Sequence, residues 1–375
     1  MAYMFDDYPA QQIIVAILVC IAAVTGLLGN ILVLVAVGLS RKLHNVTNAF
    51  VTSLAACNLL TCLTIPYHMA TILGDPPEKL GACKFFAGVL ISTQIVSLIT
   101  LTLIAVLRAF LVCGKQSTYL KIYTKRNVGV MIALSWVVPF LAVFVASVTR
   151  MAPLAFNEKY SICIVETSKS GVASLVAGIV VGLPSLVIIV VCYSLIFYFI
   201  RKHHAEMNRT LTSLNGSATQ KGSEAVTDNK TSHQHLTNPE NNHHSTPTKK
   251  AARRKRSFAE RNMSERQTKV NRNLFIVVCA FLISVLPFCI AIISPNINAA
   301  IPWCAVLLMS NSAINPVLYG FFHPYFKEVF QKIFTGKFSE IPMMPSVVSR
   351  LASNVHSSPG VMSDCTHTKS CDNYL

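Results

Sequence analysis

Long apolar stretches without a single Asp, Glu, Lys or Arg dominate the chain, and short polar segments separate them. They cover residues 11–40, 46–74, 85–107, 127–149, 170–200 and 273–322. A helix that crosses a bilayer needs about 20 apolar residues, so each of the first five stretches supplies one crossing. The last stretch is long enough for two, because polar residues and prolines interrupt it around 294–296 and at Pro302. The pattern predicts an all-α membrane protein, a seven-transmembrane helix bundle.

The predicted helices are 12–39, 47–73, 84–113, 128–150, 170–200, 273–294 and 302–321. They leave a short N-terminal segment, 1–11, and form one bundle over 12–322. The loop 203–272 is rich in Asn, Ser, Thr, His and Lys and lacks apolar periodicity, so we expect it to be mostly disordered. Its two ends, at 201–202 and 266–272, are compatible with short extensions of the flanking helices.

The segment 323–336 predicts a short amphipathic eighth helix on the inner membrane surface, because its apolar residues share one helical face. Those residues are Phe326, Val329, Phe330, Ile333 and Phe334. Pro324 suits the first helical position, and Gly336 is typical of a residue that follows a helix end. Beyond it, residues 337–375 are rich in Ser and Thr and predict a flexible tail.

The composition indicates a membrane environment, and the distribution of charge indicates the orientation of the chain in the membrane. Only 13% of residues are charged and the mean hydropathy is +0.52, so lipid must cover much of the surface. Five of the 32 basic residues lie on the N-terminal side of the membrane, and the rest lie on the other side. Because basic loops stay in the cytoplasm, we expect an extracellular N-terminus and a cytoplasmic C-terminus in the plasma membrane. The net charge of +16 then attracts anionic membrane lipid, and no nucleic acid is expected as a partner.

The cysteines predict one disulfide. Most of the 12 cysteines lie in apolar stretches or in the cytoplasmic tail. Only Cys83 and Cys163 lie clearly on the oxidising side, so we expect them to pair. The spans contain no metal-binding spacing, no paired carboxylates and no Ser/His arrangement, so we expect no metal, no cofactor and no enzyme activity.

The polar residues inside the helices are few and mostly neutral. No span holds an acid, and Arg108 is the one basic residue in a span interior, which argues against a proton pump or an ion-coupled transporter. Asn30, Asn58, Ser97 and Asn311 are buried amide and hydroxyl candidates. Prolines lie inside most helices, where each frees a carbonyl and bends the helix. They are Pro66, Pro139, Pro184, Pro287 and Pro316.

In combination and in order, these motifs resemble the rhodopsin-like (class A) family of G-protein-coupled receptors. The first three helices contribute Gly29-Asn30-Ile31-Leu32-Val33, Ser53 to Leu60 with Asn58, Cys83, Ser97-Leu98 and Ala105 to Phe110. The last four contribute Trp136 with Pro139, Pro184 with Tyr193, Phe281 with Pro287, and Asn315-Pro316-Val317-Leu318-Tyr319. All seven helices and the amphipathic segment take part.

The resemblance implies a receptor that transmits an extracellular ligand signal to a heterotrimeric G protein. The inner half of the sixth helix would swing about Pro287 and open a cavity for the α-subunit. The residues to which the resemblance gives activation roles are Arg108, Tyr193, Phe281, Pro287, Asn315, Pro316 and Tyr319. Those that it places in a shared polar core are Asn30, Asn58, Ser97 and Asn311.

Several positions depart from the family pattern. Asn58 replaces the usual Asp, so we expect a water cluster in place of a sodium ion. Leu107 replaces the acid before Arg108, which leads us to expect raised ligand-free signalling; the alternative is that Leu107 simply packs and other contacts hold the bundle closed. Val285 replaces the usual Trp, and Tyr193 lies one residue further from Pro184 than is usual.

Family analogy also places a ligand pocket in the outer half of the bundle. Its residues are Tyr67, His68, Leu90, Ile91, Gln94, Val176, Val180, Ile292, Ala305 and Met309. They are mostly apolar, so a small uncharged or amphipathic ligand fits better than an amine. Arg150, Lys159 and Lys169 at the mouth are either solvated charges or a site for a carboxylate.

Two other function classes stay open at this point. One is a seven-helix transporter of a neutral solute, which flux measurements would distinguish. The other is a signalling-deficient receptor relative that acts in heteromers, for which Leu107, Ala109 and Val285 are the motivation. Arrestin and receptor kinases are expected partners of the tail through its serines at 346, 349, 353, 357 and 358.

Overall fold

A computed structural model of the chain describes residues 9–73, 80–114, 116–158, 161–166, 182–224, 248–293 and 300–341. For residues 9, 116, 203–204, 207–224, 248–267, 292–293 and 339 it describes the backbone only. The predicted N-terminal segment, the predicted start of the fifth helix at 170 and most of the tail lie outside the described residues.

Seven helices within these ranges are long and apolar enough to cross a membrane, which confirms the predicted seven-helix bundle. The helices are α1 (Pro9–Leu39), α2 (Val46–Ile72), α3 (Leu80–Cys113), the short α4 (Gln116–Ile122), α5 (Lys125–Val148), α6 (Leu183–Glu224), α7 (Thr248–Ile293), α8 (Ile301–Phe322) and α9 (Pro324–Phe334). The seven spanning helices are thus α1, α2, α3, α5, α6, α7 and α8.

The starts of α2 and α5 carry side-chain caps that explain where these helices begin. The side chain of Asn45 accepts a hydrogen bond from the Asn48 amide at the start of α2. The hydroxyl of Thr124 accepts one from Asn127 at the start of α5. Such caps satisfy backbone donors that have no partner within the helix.

The bundle is arranged around α3, which packs against α2, α5 and α6. Helix α1 packs between α2 and α8, and α7 packs along α8. Most of the α2 and α8 surface is buried, whereas the outer faces of α1, α5 and α6 expose large apolar side chains such as Ile21, Val138 and Val190. Apolar residues on an outer face are what a lipid environment requires.

The predicted amphipathic helix is confirmed as α9. Its apolar face is buried through Phe326, Val329 and Phe330, and it packs against α8 and α1. Phe334, at the end of the same face, remains exposed. Gly336 follows with a φ of 69°, in the left-handed region that favours glycine.

A β-hairpin between α5 and α6 is an element that the sequence analysis did not predict. Strand β1 (Leu154–Asn157) pairs antiparallel with β2 (Ile162–Val165). Each strand has only four residues, too few for their alternation to register as a strand pattern. The hairpin carries Cys163, whose predicted disulfide with Cys83 at the outer start of α3 is present.

Within the segment 203–272, the structure describes the backbone of two helical extensions, and residues 225–247 lie outside the described parts, so the mostly disordered loop stays a prediction. Helix α6 continues to Glu224, and α7 begins at Thr248. The absence of apolar periodicity does not prevent helix formation. Residues 248–267 are rich in Lys, Arg, Ala, Glu and Gln, which are good helix formers.

Candidate functional site

At the end of the bundle that carries α9, the inner end in the predicted orientation, the structure brings Arg108 of α3 together with tyrosines from other elements. Arg108 is buried, and its charge acts on the hydroxyls of Tyr193, Tyr119 and Tyr325. These tyrosines come from α6, α4 and α9, so the arginine lies at a point where several elements converge.

Tyr193 and Tyr319, two of the predicted activation residues, are both almost completely buried. Tyr193 packs against Phe275 of α7 at 5.2 Å between ring centroids, and Tyr319 stacks on Phe326 of α9 at 5.6 Å. Neither hydroxyl has a hydrogen-bond partner among the described residues. Two buried hydroxyls without partners are groups that a rearrangement could satisfy.

The pKa values of titratable groups outside the membrane spans show that this end of the bundle excludes water. Burial raises the pKa of Tyr123 to about 12. Burial, and secondly the charge of Arg108, lowers the pKa of His323 to about 3. The Nδ1 atom of His323 accepts the Phe326 amide, which caps α9. The capping ring is therefore neutral at physiological pH.

Two further predicted activation residues lie on α7. Phe281 is buried in the same inner cluster as Tyr193 and Tyr319. Pro287 lies within the helix, six residues closer to its outer end. Position 285 holds a valine that packs against the inner cluster, so no aromatic side chain occupies the place of the family tryptophan.

The predicted polar-core residues form three separate hydrogen-bonded groups of neutral side chains near the middle of the bundle. Asn30 donates to the carbonyls of Gly26 and Ser312, and Asn58 donates to the Asn30 side chain at 3.4 Å. Ser97 lies 3.6 Å from the Cys57 sulfur, and Asn311 donates to Gln94 at 3.5 Å. The structure thus links residues of α1, α2, α3 and α8.

Several oxygen atoms in this core lack partners among the described residues. They include Oδ1 of Asn58, Asn311 and Asn315 and the hydroxyl of Ser312. These oxygens belong to amides and a hydroxyl and carry no formal charge. A cation prefers at least one carboxylate, so the donor set fits water better than a sodium ion.

The outer half of the bundle contains those predicted ligand-binding residues that the structure describes. Leu90 and Met309 are buried in one apolar cluster with Ile162 and Ile164 of β2, and Ala305 is also buried. Strand β2 therefore belongs to the wall of this region, a feature that sequence reasoning missed. The side chain of Ile292 and residues Val176 and Val180 lie outside the described parts.

The polar members of the outer region lie on α2 and α3. Tyr67 stacks on Phe86 at 4.2 Å and, with Ile91, packs against the cluster that holds the disulfide. His68 is buried, and neither its Nε2 atom nor the Tyr67 hydroxyl has a partner among the described residues. Gln94 connects this region to the polar core through Asn311.

Sequence reasoning also missed two asparagines at the inner end of α7. Asn271 and Asn273 are almost completely buried. All four side-chain amide atoms lack hydrogen-bond partners among the described residues. Their only signal in the sequence is an asparagine on either side of Arg272, at the edge of an apolar stretch.

Comparisons with known proteins agree with this geometry. The sequence profile of the seven-transmembrane receptors of the rhodopsin family matches residues 29–319. Trace amine-associated receptor 4 of Rattus norvegicus is 26% identical over 365 residues, covering 88% of this chain and 87% of that protein. Melatonin receptor type 1B-A of Danio rerio is 31% identical over 175 residues, covering 46% of this chain and 59% of that protein. Among solved structures, squid rhodopsin superposes with a TM-score of 0.65 at 16% identity, covering 94% of this chain and 93% of that one.

Proposed function

The chain belongs to the rhodopsin family of seven-transmembrane receptors, and we propose that it transmits an extracellular ligand signal to heterotrimeric G proteins. The observation that carries the proposal is that Tyr193 lies within electrostatic range of Arg108 and shares the inner hydrophobic cluster with Tyr319. These residues lie at the inner end of the bundle, and helix α7 contains Pro287. A signal relay needs a site at one end of the bundle and a helix that can bend between the two ends.

The proposed orientation has the N-terminus outside the cell, in the plasma membrane, and the C-terminus in the cytoplasm. The distribution of basic residues supports it. The disulfide between Cys83 and Cys163 also supports it, because disulfides persist in oxidising compartments. The hairpin and the outer start of α3 would then face the extracellular side.

The proposed mechanism is a shift between a closed and an open bundle. Ligand binding favours the open state only if the ligand binds that state better. On opening, the inner half of α7 moves about Pro287 and exposes Arg108 to a partner. Tyr193 and Tyr319, whose hydroxyls have no hydrogen-bond partner among the described residues, would then gain water or Arg108 as partners.

The proposed ligand is small and uncharged or amphipathic. Leu90, Ile91, Ala305 and Met309 provide apolar surface, and no acid lies within any of the seven predicted spans to pair with an amine. The names of several relatives refer to trace amines, but an ammonium group buried without an anion carries a desolvation cost. His68 and Gln94 offer neutral hydrogen bonds instead.

Raised ligand-free signalling is part of the proposal. Leu107 is completely buried and apolar, so the residue before Arg108 adds no carboxylate attraction to the closed state. We also propose arrestin and receptor kinases as partners of the serine-rich tail, whose residues 346–358 lie outside the described parts, and anionic lipid as a partner of the inner basic surface.

A panel of purified G proteins tests the proposed function. The full chain in nanodiscs should accelerate nucleotide exchange on at least one of them, without ligand or with neutral lipids added one at a time. Arg108→Gln should abolish the acceleration, and Arg150→Gln, at the opposite end, should leave it unchanged. No exchange together with solute flux in vesicles would favour a transporter. Exchange seen only with a co-expressed receptor would favour a partner in heteromers.

A further inference from the structure

The inner end of α7 contains a polar feature that the family motifs do not account for. Asn271 is 2% exposed and Asn273 is 0% exposed, and neither amide has a hydrogen-bond partner among the described residues. A buried amide without a partner has lost its hydrogen bonds to water and has received none in return.

The two asparagines lie on different sides of the helix. Residues two apart point about 200° apart around an α-helix, since each residue turns the chain by 100°. Asn271 shares a side with Phe275, which contacts Tyr193 and Phe197 of α6. Asn273 shares a side with Val270 and Val277, which are buried in the inner core. Both asparagines are therefore buried only while α7 packs against its neighbours.

Some other buried polar side chains on α2 and α7 do have hydrogen-bond partners. Asn48, at the inner end of α2, is buried and donates from Nδ2 to the Leu43 carbonyl at 2.9 Å. Ser284, further along α7, is buried and donates to the Ala280 carbonyl at 2.8 Å. Burial on these helices therefore does not by itself remove hydrogen-bond partners, although the hydroxyls of Tyr193 and Tyr319 lack them as well.

We propose that Asn271 and Asn273 are positioning residues that weaken the closed bundle and so set how often the inner end of α7 opens. When the helix end moves outward, water or the backbone of a cytoplasmic partner reaches both amides and supplies the missing hydrogen bonds. The closed state carries the cost and the open state does not. This inference rests on the proposed function, because it assumes that α7 moves.

A direct test measures the open and closed populations without any partner. A trifluoromethyl-phenylalanine at Lys269, an exposed position on the same helix end, reports both states by fluorine NMR of the full chain in nanodiscs. Asn271→Leu and Asn273→Leu should each lower the open-to-closed ratio by at least about fivefold. Both should also raise the melting temperature, because an unsatisfied amide is replaced by an apolar side chain of similar size.

Asn48→Leu is the matched control, since the substitution and the depth are the same but a hydrogen bond is lost. It should lower the melting temperature and leave the ratio unchanged. Asn271→Ala and Asn273→Ala remove the amides without adding volume, so the ratio must fall in them as well. A lowered melting temperature or failed folding in both Leu and Ala variants would overturn the proposal, as would an unchanged ratio.

The outcome can be separated from that of the proposed function. If the ratio shifts as expected and no G protein responds, the inference stands and the coupling proposal fails. If a G protein responds and the ratio does not move, the coupling proposal stands and the inference fails.

Discussion

The side-chain amide of Asn30, in α1, donates a 2.8 Å hydrogen bond to the backbone carbonyl of Ser312, in α8. The same amide donates to the Gly26 carbonyl at 2.7 Å, and the Asn30 side chain is fully buried. The bond attaches the first helix to the one that contains Asn315, Pro316 and Tyr319. It therefore fixes the helix from which three of the proposed activation residues come.

Replacing Asn30 with leucine should lower the free energy of unfolding by about 1–3 kcal/mol. The substitution removes both hydrogen bonds and leaves the Ser312 carbonyl without this donor. Thermal unfolding of the purified protein measures the change. Ile31→Leu, at the adjacent exposed position, should leave the melting temperature unchanged, and an equal effect of both variants would contradict the assignment.

The close approach of α1 and α8 at Gly29 supports a second prediction. A Cβ added at Gly29 would lie 2.6 Å from the Cγ atom of Pro316, closer than carbon atoms pack. Gly29→Ala should therefore displace α8 and destabilise the protein by about 1–3 kcal/mol. Thermal unfolding and G-protein exchange should both report the change.

Gly38 provides the control on the same helix. An added Cβ there meets nothing within 4 Å, so Gly38→Ala should be neutral or stabilising by up to about 1 kcal/mol. If Gly29→Ala proved as harmless as Gly38→Ala, the two helices would not be in close contact at this point.

The helices were predictable because a segment that crosses lipid must be apolar along most of its length. Stretches such as 11–40 and 127–149 contain no charge, and α1 and α5 follow them closely. The hairpin and α4 are too short for a periodic pattern, and the sequence in which α6 continues to Glu224 has no apolar periodicity. The motifs named Tyr193 as a residue near Arg108, but they did not name Tyr119 or Tyr325, which the structure also places around the arginine. They did not predict Asn271 or Asn273, since an unsatisfied amide is visible only when its neighbours are known.

The disulfide between Cys83 and Cys163 should contribute strongly to stability. It joins residues 80 positions apart, and closing a long loop restricts the unfolded chain. Replacing both cysteines with serine should cost about 2–5 kcal/mol, measured by thermal unfolding with and without reductant. The variant should lose its sensitivity to reductant, whereas Cys20→Ala, which removes an exposed free cysteine, should retain it.

His323 should make stability depend on pH. Burial and the charge of Arg108 lower the pKa of His323 from 6.5 to about 3 in the folded protein, so the unfolded chain binds a proton first as pH falls. Stability is then complete above pH 6.5 and decreases below it, by about 2 kcal/mol at pH 5. Chemical unfolding at several pH values measures this slope.

His323→Asn is the appropriate comparison for that slope. Asparagine can still cap α9 through a side-chain oxygen, but it does not titrate between pH 3 and pH 6.5. The difference between the two unfolding curves isolates the histidine. Identical pH profiles for both proteins would show that His323 is accessible to protons in the folded state.

A carboxylate beside Arg108 should reduce ligand-free signalling. Leu107 is completely buried in the inner core, and Leu107→Asp places a negative charge one residue from a buried guanidinium. The new carboxylate attracts the Arg108 guanidinium in the closed bundle, in addition to the contacts that Arg108 already makes. Opening of the bundle weakens this attraction. A stabilisation of about 1.4 kcal/mol would lower basal nucleotide exchange about tenfold. Leu107→Asn, which removes the same apolar side chain without adding charge, should not lower it. If Leu107→Asp exchanged nucleotide as fast as the unaltered chain, Leu107 would be only a packing residue.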